Sequence, residues 1–309
     1  MSGGGTFIET SRAHTREDNV ALAIARRLEA ESSTRVSASS SHASATQQPK
    51  QLFLPGMDEF MRAMPNHIAR SSLFAPVARG RKKLHKDAVL VSRADAVIRF
   101  SGEQLDEAQA DVWMQVMHEA SKRPLGEPVA IRRASFLRSI GRHVGNYEYK
   151  WLQRSMDALT FAKLSIEVTK SNGAPKLTIG KNGSFHLIDS FIYDPESETY
   201  MLRVDPHWQA MFANREFALI DWEKRLRIDP RQDMAKALQR LAATSDETIQ
   251  RYALDWLKRK LEYTGRPRDF VDALKRAMRE LERHEVGVIA GGRIETSTKG
   301  KPQAVWTKI

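Results

Sequence analysis

The chain has 309 residues, enough for about two domains with separate cores, and its lack of cysteine excludes disulfides, thiol nucleophiles and thiolate metal sites. A formal net charge of +11 and a pI near 9.8 point to a polyanionic partner, either nucleic acid or an anionic membrane surface. No apolar run is long enough to span a bilayer and the opening "MSGGGTFIETSRAHT" lacks a signal-peptide apolar segment, so the protein is expected in the cytoplasm with no membrane partner.

In chain order, "REDNVALAIARRLEAE" (16–31) has the pattern of one amphipathic helix. The Ser- and Ala-rich stretch after it cannot bury enough apolar surface to offset its chain entropy, so residues 1–50 are expected to be largely disordered. "MDEFMRAMPNHIARSSLF" reads as helix on both sides of Pro65, "AVIRF" as strand and "LDEAQADVWMQVMHEASKR" as a strong helix. "EPVAI" is a short strand, "ASFLRSIGRH" a short helix ending near Gly141, and "YEYKWLQRSMDALT" a second helix. Strands follow in "KLSIEVT", "KLTIG", "SFHLIDSFIYD" and "TYMLRV", separated by Asn-Gly and Pro turn signals. "HWQAMFAN", "MAKALQRLAATS" and "TIQRYALDWLKRKL" read as helices, and "RPRDFVDALKRAMRELERHEVGVIAGGRIETSTKGKPQAVWTKI" as a helix running into a hairpin.

In that last helix Phe270, Val271, Leu274, Ala277, Met278 and Leu281 share one stripe. Asp272, Arg276, Arg279 and Arg283 point the opposite way, with Arg268 and Lys275 on the flanks. Its mixed charge fits a solvated face as well as a ligand-facing one. A repeat bears on the architecture more than on the activity, since any helix-then-strand unit with a buried face gives similar spacing. Leu152, Met156, Leu159, Leu164, Ile166 and Val168 recur with identical spacing as Leu274, Met278, Leu281, Val286, Val288 and Ala290. Two short helices, the second feeding a β-hairpin, describe a winged helix. The expected fold is α+β with tandem winged-helix domains over residues 51–205 and 206–309, the first carrying an N-terminal extension.

The exposed positions Lys150, Gln153, Arg154 and Asp157 then correspond to Asp272, Lys275, Arg276 and Arg279. Arg and Lys suit guanine edges and Gln suits adenine. Arg154 and Arg276 coincide, which makes them the first candidates. Lys299 and Lys301 flank the hairpin tip "TKGKP", where they could meet phosphates, and Tyr147 and Tyr149 could touch sugar-phosphate or pack under a loop.

Patterns for catalysis are weak. Gly180-Lys181 lacks the spacing of a phosphate-cradling loop, and His118-Glu119 and His284-Glu285 lack the second histidine of a metal motif, so these histidines read as surface or capping residues. Tyr252 and Tyr263 are not near paired histidines, which leaves a covalent tyrosine intermediate unsupported. Binding without catalysis, cofactor or metal is the expectation.

The stretches "MRAMPNHIARSSLF", "PLGEPVAI" and "GRHVGNYEYKWLQRSMDALTFAKLSIEVT" resemble the TrfA family of plasmid replication initiators, and the likeness extends over about residues 51–309. That resemblance implies two winged-helix domains that bind direct repeats (iterons) at a plasmid origin and help open an A·T-rich segment. It also implies recruitment of the host initiator DnaA and the replicative helicase DnaB. By the same likeness Arg268, Lys275, Arg276, Arg279 and Arg283 would read the repeat, and Lys150, Gln153 and Arg154 would make a second DNA contact. A monomer–dimer balance, and so a homodimer, is a further implication, although no segment is marked for it.

"QLFLP", with Gln51, Leu52, Leu54 and Pro55, is similar to peptides that bind the bacterial sliding clamp. The two leucines would enter an apolar pocket while Gln51 supplies a directed hydrogen bond. A hydrophobic start to the first domain explains the same residues, and Gly56 departs from the apolar residue often found next. A winged-helix transcriptional repressor remains the alternative function, because fold alone does not fix activity. Tandem direct repeats beside an A·T-rich tract in the neighbouring DNA would favour initiation, and a single inverted repeat would favour repression.

Overall fold

The computed structural model describes residues 59–77, 82–123, 127–181, 183, 185–213 and 216–309. The helix expected over 16–31, the Ser- and Ala-rich stretch and the residues 51–55 lie outside that set.

The first half opens with strand β1 (Met61–Pro65), helix α1 (Asn66–Ala69) and strands β2 (Phe74–Ala75), β3 (Leu84–Val89), β4 (Ala96–Glu103) and β5 (Leu105–Asp106). Helix α2 (Glu107–Ala120), strand β6 (Val129–Arg132) and helices α3 (Arg133–Ser139) and α4 (Asn146–Phe161) follow. Strands β7 (Lys163–Thr169), β8 (Pro175–Ile179), β9 (Phe185–His186), β10 (Ser190–Asp194) and β11 (Thr199–Arg203) precede helix α5 (Trp208–Ala213) and strand β12 (Phe217–Asp221). The chain continues through α6 (Trp222–Arg227), α7 (Asp233–Ala243), β13 (Ile249–Ala253), α8 (Leu254–Lys260), α9 (Pro267–Glu282), β14 (Ile289–Thr296) and β15 (Pro302–Lys308).

One order of elements occurs twice. In the second half helix α7, strand β13, helices α8 and α9 and the hairpin β14–β15 form a unit whose sheet runs β13-β15-β14. In the first, α2, β6, α3 and α4 are completed by the hairpin β10–β11, with the sheet order β10-β11-β6. Each time the second hairpin strand lies in the middle and bonds the strand that precedes the helix pair: Tyr200 faces Ile131, and Trp306 faces Gln250.

The repeat read from the sequence therefore holds for the helices and fails for the strands. Leu152, Ser155, Met156 and Leu159 are buried on α4, as Leu274, Ala277, Met278 and Leu281 are on α9. Beyond the helices the copies diverge. Ile166 and Val168 are buried, whereas Val288 is only half-buried and Ala290 is exposed. Strand β7 does not start a hairpin of the small sheet. It joins a five-stranded sheet of order β3-β4-β7-β8 with β9 also on β7, an insertion that delays the hairpin until β10.

Two more expectations are corrected. "MRAMP" is strand β1, bonded antiparallel to β12 with Met61 opposite Asp221, and only Asn66–Ala69 is helical. "IQRYA" is strand β13, bonded antiparallel to β15, with Gln250 opposite Trp306 and accepting its indole N–H (3.1 Å). The division between the apolar cores also falls later than residue 206. Trp208, Met211, Phe212, Ile220 and Trp222 belong to the first core, and the second starts at Ile228. Trp113 and Phe185 flank Trp208 at ring-centroid distances of 4.8 and 4.6 Å in the centre of the first core. The indole N–H groups of Trp113, Trp208 and Trp222 all donate to backbone carbonyls, as buried polar groups must.

Candidate nucleic-acid interface

Helix α9 starts with Pro267 in its first turn, where a missing N–H costs nothing, and Asp269 follows on the side favoured by the helix dipole. Its buried stripe of Phe270, Leu274, Ala277, Met278 and Leu281 packs on α7 and β14. Fully burying a Phe, Leu or Met side chain contributes roughly 1.5–3 kcal/mol, which fixes the roll of the helix and hence its outer face.

That outer face carries Arg268, Lys275, Arg276 and Arg279, all exposed. None has a hydrogen-bond or ion-pair partner among the described residues. The neighbouring charges behave differently. Arg266 pairs with Asp269 (2.8 Å). Arg283 donates to the Arg227 carbonyl (2.7 Å) and pairs with Glu280 (3.0 Å), whose carboxylate also accepts the Asp229 N–H (2.8 Å). Its guanidinium ties the end of α9 to the end of α6, so it is less free for a ligand than the other four.

The hairpin lies close beside α9 at one glycine. A Cβ on Gly292 would lie 3.0 Å from Met278 Cβ, and the Gly292 N–H donates to Glu282 at 2.6 Å, so β14 lies directly on the helix. At the tip Ser297 N–H donates to the Lys301 carbonyl (2.8 Å) and Gly300 N–H to the Ser297 carbonyl (2.9 Å), with Gly300 at φ 72°. Lys299 and Lys301 flank that turn, exposed, and their ammonium groups have no partner among the described residues.

Helix α4 presents a more anchored face. Lys150 is exposed, and exposed Arg154 donates back to the Lys150 carbonyl (3.3 Å). Gln153 is half-buried and accepts from the Tyr200 hydroxyl at 2.9 Å. Burial pushes the Tyr200 phenol up to about 12. Tyr147 is 71% exposed, whereas Tyr149 lies under the Arg133 guanidinium, 3.8 Å from its ring centroid. Arg142 covers Trp151 at 3.6 Å and pairs with Glu148 at 2.6 Å.

Sequence reasoning missed Arg133 and Arg142. Both come from outside α4, and their signal was only a basic residue in the preceding helix and turn. His118 is buried in the last turn of α2 rather than on the surface, while His284 is exposed in the turn after α9. Among the described residues no group of three or more His, Asp and Glu could hold a metal ion, and no helix is long and apolar enough to cross a membrane.

A family model described as TrfA protein matches residues 28–252. The chain belongs to the TrfA family. The match to the TrfA model includes α4 and stops before α8, α9 and the β14–β15 hairpin. A relative, the plasmid replication initiator protein TrfA of Escherichia coli, is 25% identical over 176 residues, or 55% of this chain and 44% of that protein. The aligned part thus spans less than half of that TrfA. Among solved structures, domains 2 and 3 of RctB align at a TM-score of 0.51 and 12% identity, over 79% of this chain and 98% of theirs. A second structure of the same domains gives 0.45 and 13% identity over 79% and 97%. The first likeness shows that this TrfA-family chain shares the fold of those RctB domains, a mixed α/β architecture.

Proposed function

We propose that this chain is a plasmid replication initiator whose two repeated units are winged helices that bind direct repeats at the origin. The observation that carries the reading is the face of α9. Four exposed cations there have no hydrogen-bond or ion-pair partner among the described residues, and neither do the ammonium groups of the two lysines at the hairpin tip. A helix of this kind in the major groove would place Arg276 and Arg279 at base edges, with Lys299 and Lys301 on phosphates. Helix α4, through Lys150, Gln153 and Arg154, supplies the second contact.

In this reading the chain makes and breaks no covalent bonds and needs no cofactor. Neutralised phosphates and a bent or unwound duplex provide the work, and the host proteins DnaA and DnaB are recruited to the opened A·T-rich segment. The QLFLP residues Gln51, Leu52, Leu54 and Pro55 would engage the sliding clamp. The setting is plasmid DNA in the bacterial cytoplasm.

The test is a gel-shift series with the protein and a tandem-repeat duplex from its own origin, against a scrambled duplex, at several salt concentrations. Specific binding is expected to exceed non-specific binding by about 10³ or more. Equal affinity for repeat and scrambled duplexes at all salt concentrations would rule the proposal out.

A further inference from the structure

Between the two apolar cores lies a cluster of buried ionic groups that the DNA-facing surfaces do not use. Glu107 and Asp111 stand one turn apart on α2, on the side of α6 and α7. The fully buried Glu107 carboxylate accepts from Arg225 of α6 at 3.1 Å and from Arg240 of α7 through Nε at 3.2 Å and through Nη2. Asp111 accepts from Arg225 Nε (2.5 Å) and from Lys236 Nζ of α7 (2.8 Å). Arg225 also donates to the Lys236 carbonyl (3.0 Å), and Arg240 reaches into the first half to the Phe74 carbonyl (3.1 Å). Both guanidinium side chains are 0% exposed.

Buried ion pairs are poor devices for stability, because desolvation offsets much of their attraction and apolar residues of similar volume often do as well. What they add is direction. Apolar side chains can slide and repack, whereas a carboxylate shared by two guanidinium groups fits one arrangement of its helices. The placement makes that direction consequential. Helix α4 packs on α2, and α9 packs on α7. The α2–α7 junction therefore sets the angle between the two candidate reading helices. A second tie acts on the turn before α9: Glu262, at φ 51°, accepts from Lys83 Nζ (3.2 Å) and Gln104 Nε2 (3.1 Å) of the first half.

We infer that Glu107, Asp111, Arg225 and Arg240 are positioning residues that fix the angle and spacing of α4 and α9, and so select the helical phase at which both meet one duplex. The inference rests on α4 and α9 being the DNA-facing helices.

Two measurements test it on the full chain. The first reads geometry without DNA. Because the chain has no cysteine, Lys150→Cys and Lys275→Cys give one spin-label pair across the two helices. A single narrow distance distribution is expected, broadened or shifted by Glu107→Gln and by the milder Asp111→Asn. An unchanged distribution in a folded variant overturns the inference whatever the DNA results. The second uses repeat duplexes with base pairs inserted between the segments contacted by the two helices. Insertion of about 5 base pairs, half a helical turn, is expected to weaken wild-type binding about tenfold, with recovery at about 10. Glu107→Gln is expected to reduce that periodicity to under about threefold, and full periodicity in a folded variant also overturns the inference. Absence of duplex binding by the wild type counts against the proposed function instead, and the distance measurement still decides the positioning.

Discussion

Arg276 and Arg279 sit within one turn of each other on the outer face of α9, exposed and unpaired among the described residues. An unpaired guanidinium keeps its fork of donors for guanine O6 and N7, and losing such a contact costs ~1–3 kcal/mol of discrimination. Arg276→Ala and Arg279→Ala are each expected to weaken binding to the repeat duplex by that amount while leaving the scrambled duplex nearly unaffected, as read by competition gel shifts. Equal losses on both duplexes would show that these residues only neutralise phosphate. Arg283 stands apart. Since its guanidinium closes on Glu280 and the Arg227 carbonyl, Arg283→Ala is expected to cost ~1 kcal/mol of folding stability in urea titrations. Retention of wild-type stability would mean that the two contacts are incidental. The free arginines of α9 could be picked out of the sequence because the helical period assigns their face. The commitment of Arg283 could not be read in full: its pair with Glu280 is local, but the Arg227 carbonyl that it reaches is brought there by folding alone.

Helices and hairpins follow the same division between local and distant information. Helix α9 was legible because its apolar stripe, Pro267 start and length are all local signals. Strand β13 was not: "IQRYA" adjoins a true helix, and its partner β15 begins about fifty residues later. Strand β1 shows the same limit, since Arg62 is buried there with its Nε on Gln115 (2.9 Å) and burial pushes its pKa down to about 10. The β14–β15 hairpin offers two predictions. Lys299→Ala should lower affinity for every sequence alike and reduce the slope of log affinity against log salt by about 1, the mark of one lost phosphate contact. An unchanged slope would remove the tip from the interface. Gly292→Ala should force Met278 or β14 to shift, because the added methyl meets Met278 Cβ at 3.0 Å. Overpacking of this kind costs roughly 1–3 kcal/mol, and a thermal melt equal to wild type would refute the close approach.

Across the whole molecule the two halves are joined through charges that a sequence reading places on the surface. Arg225, Arg240 and Lys260 lie in helices whose other positions follow the apolar period, and charged residues there are ordinarily solvated. Lys260 is the extreme case. Its ammonium is fully buried with no hydrogen-bond partner among the described residues, and burial first, then the Arg240 charge, push its pKa from 10.5 down to about 7 against the pull of Glu107. Between about pH 7 and 10.5 the unfolded chain holds a proton that the folded chain has released, so stability from this group rises with pH across that window. Below about 7 both states are protonated and the cost is at its full value. Asp233, pushed up to about 6 chiefly by burial and by Glu107, acts in a separate window: stability falls as pH rises from 3.8 to about 6 and is level above it. Lys260→Met keeps an unbranched side chain of similar length and removes the charge. It is expected to stabilise the protein near pH 7 by an amount on the order of a few kcal/mol, with the gain shrinking toward zero by about pH 10.5. Urea unfolding of both proteins at pH 7, 8, 9 and 10 measures this directly, and two parallel stability curves would mean that Lys260 does not lose its proton inside the folded chain.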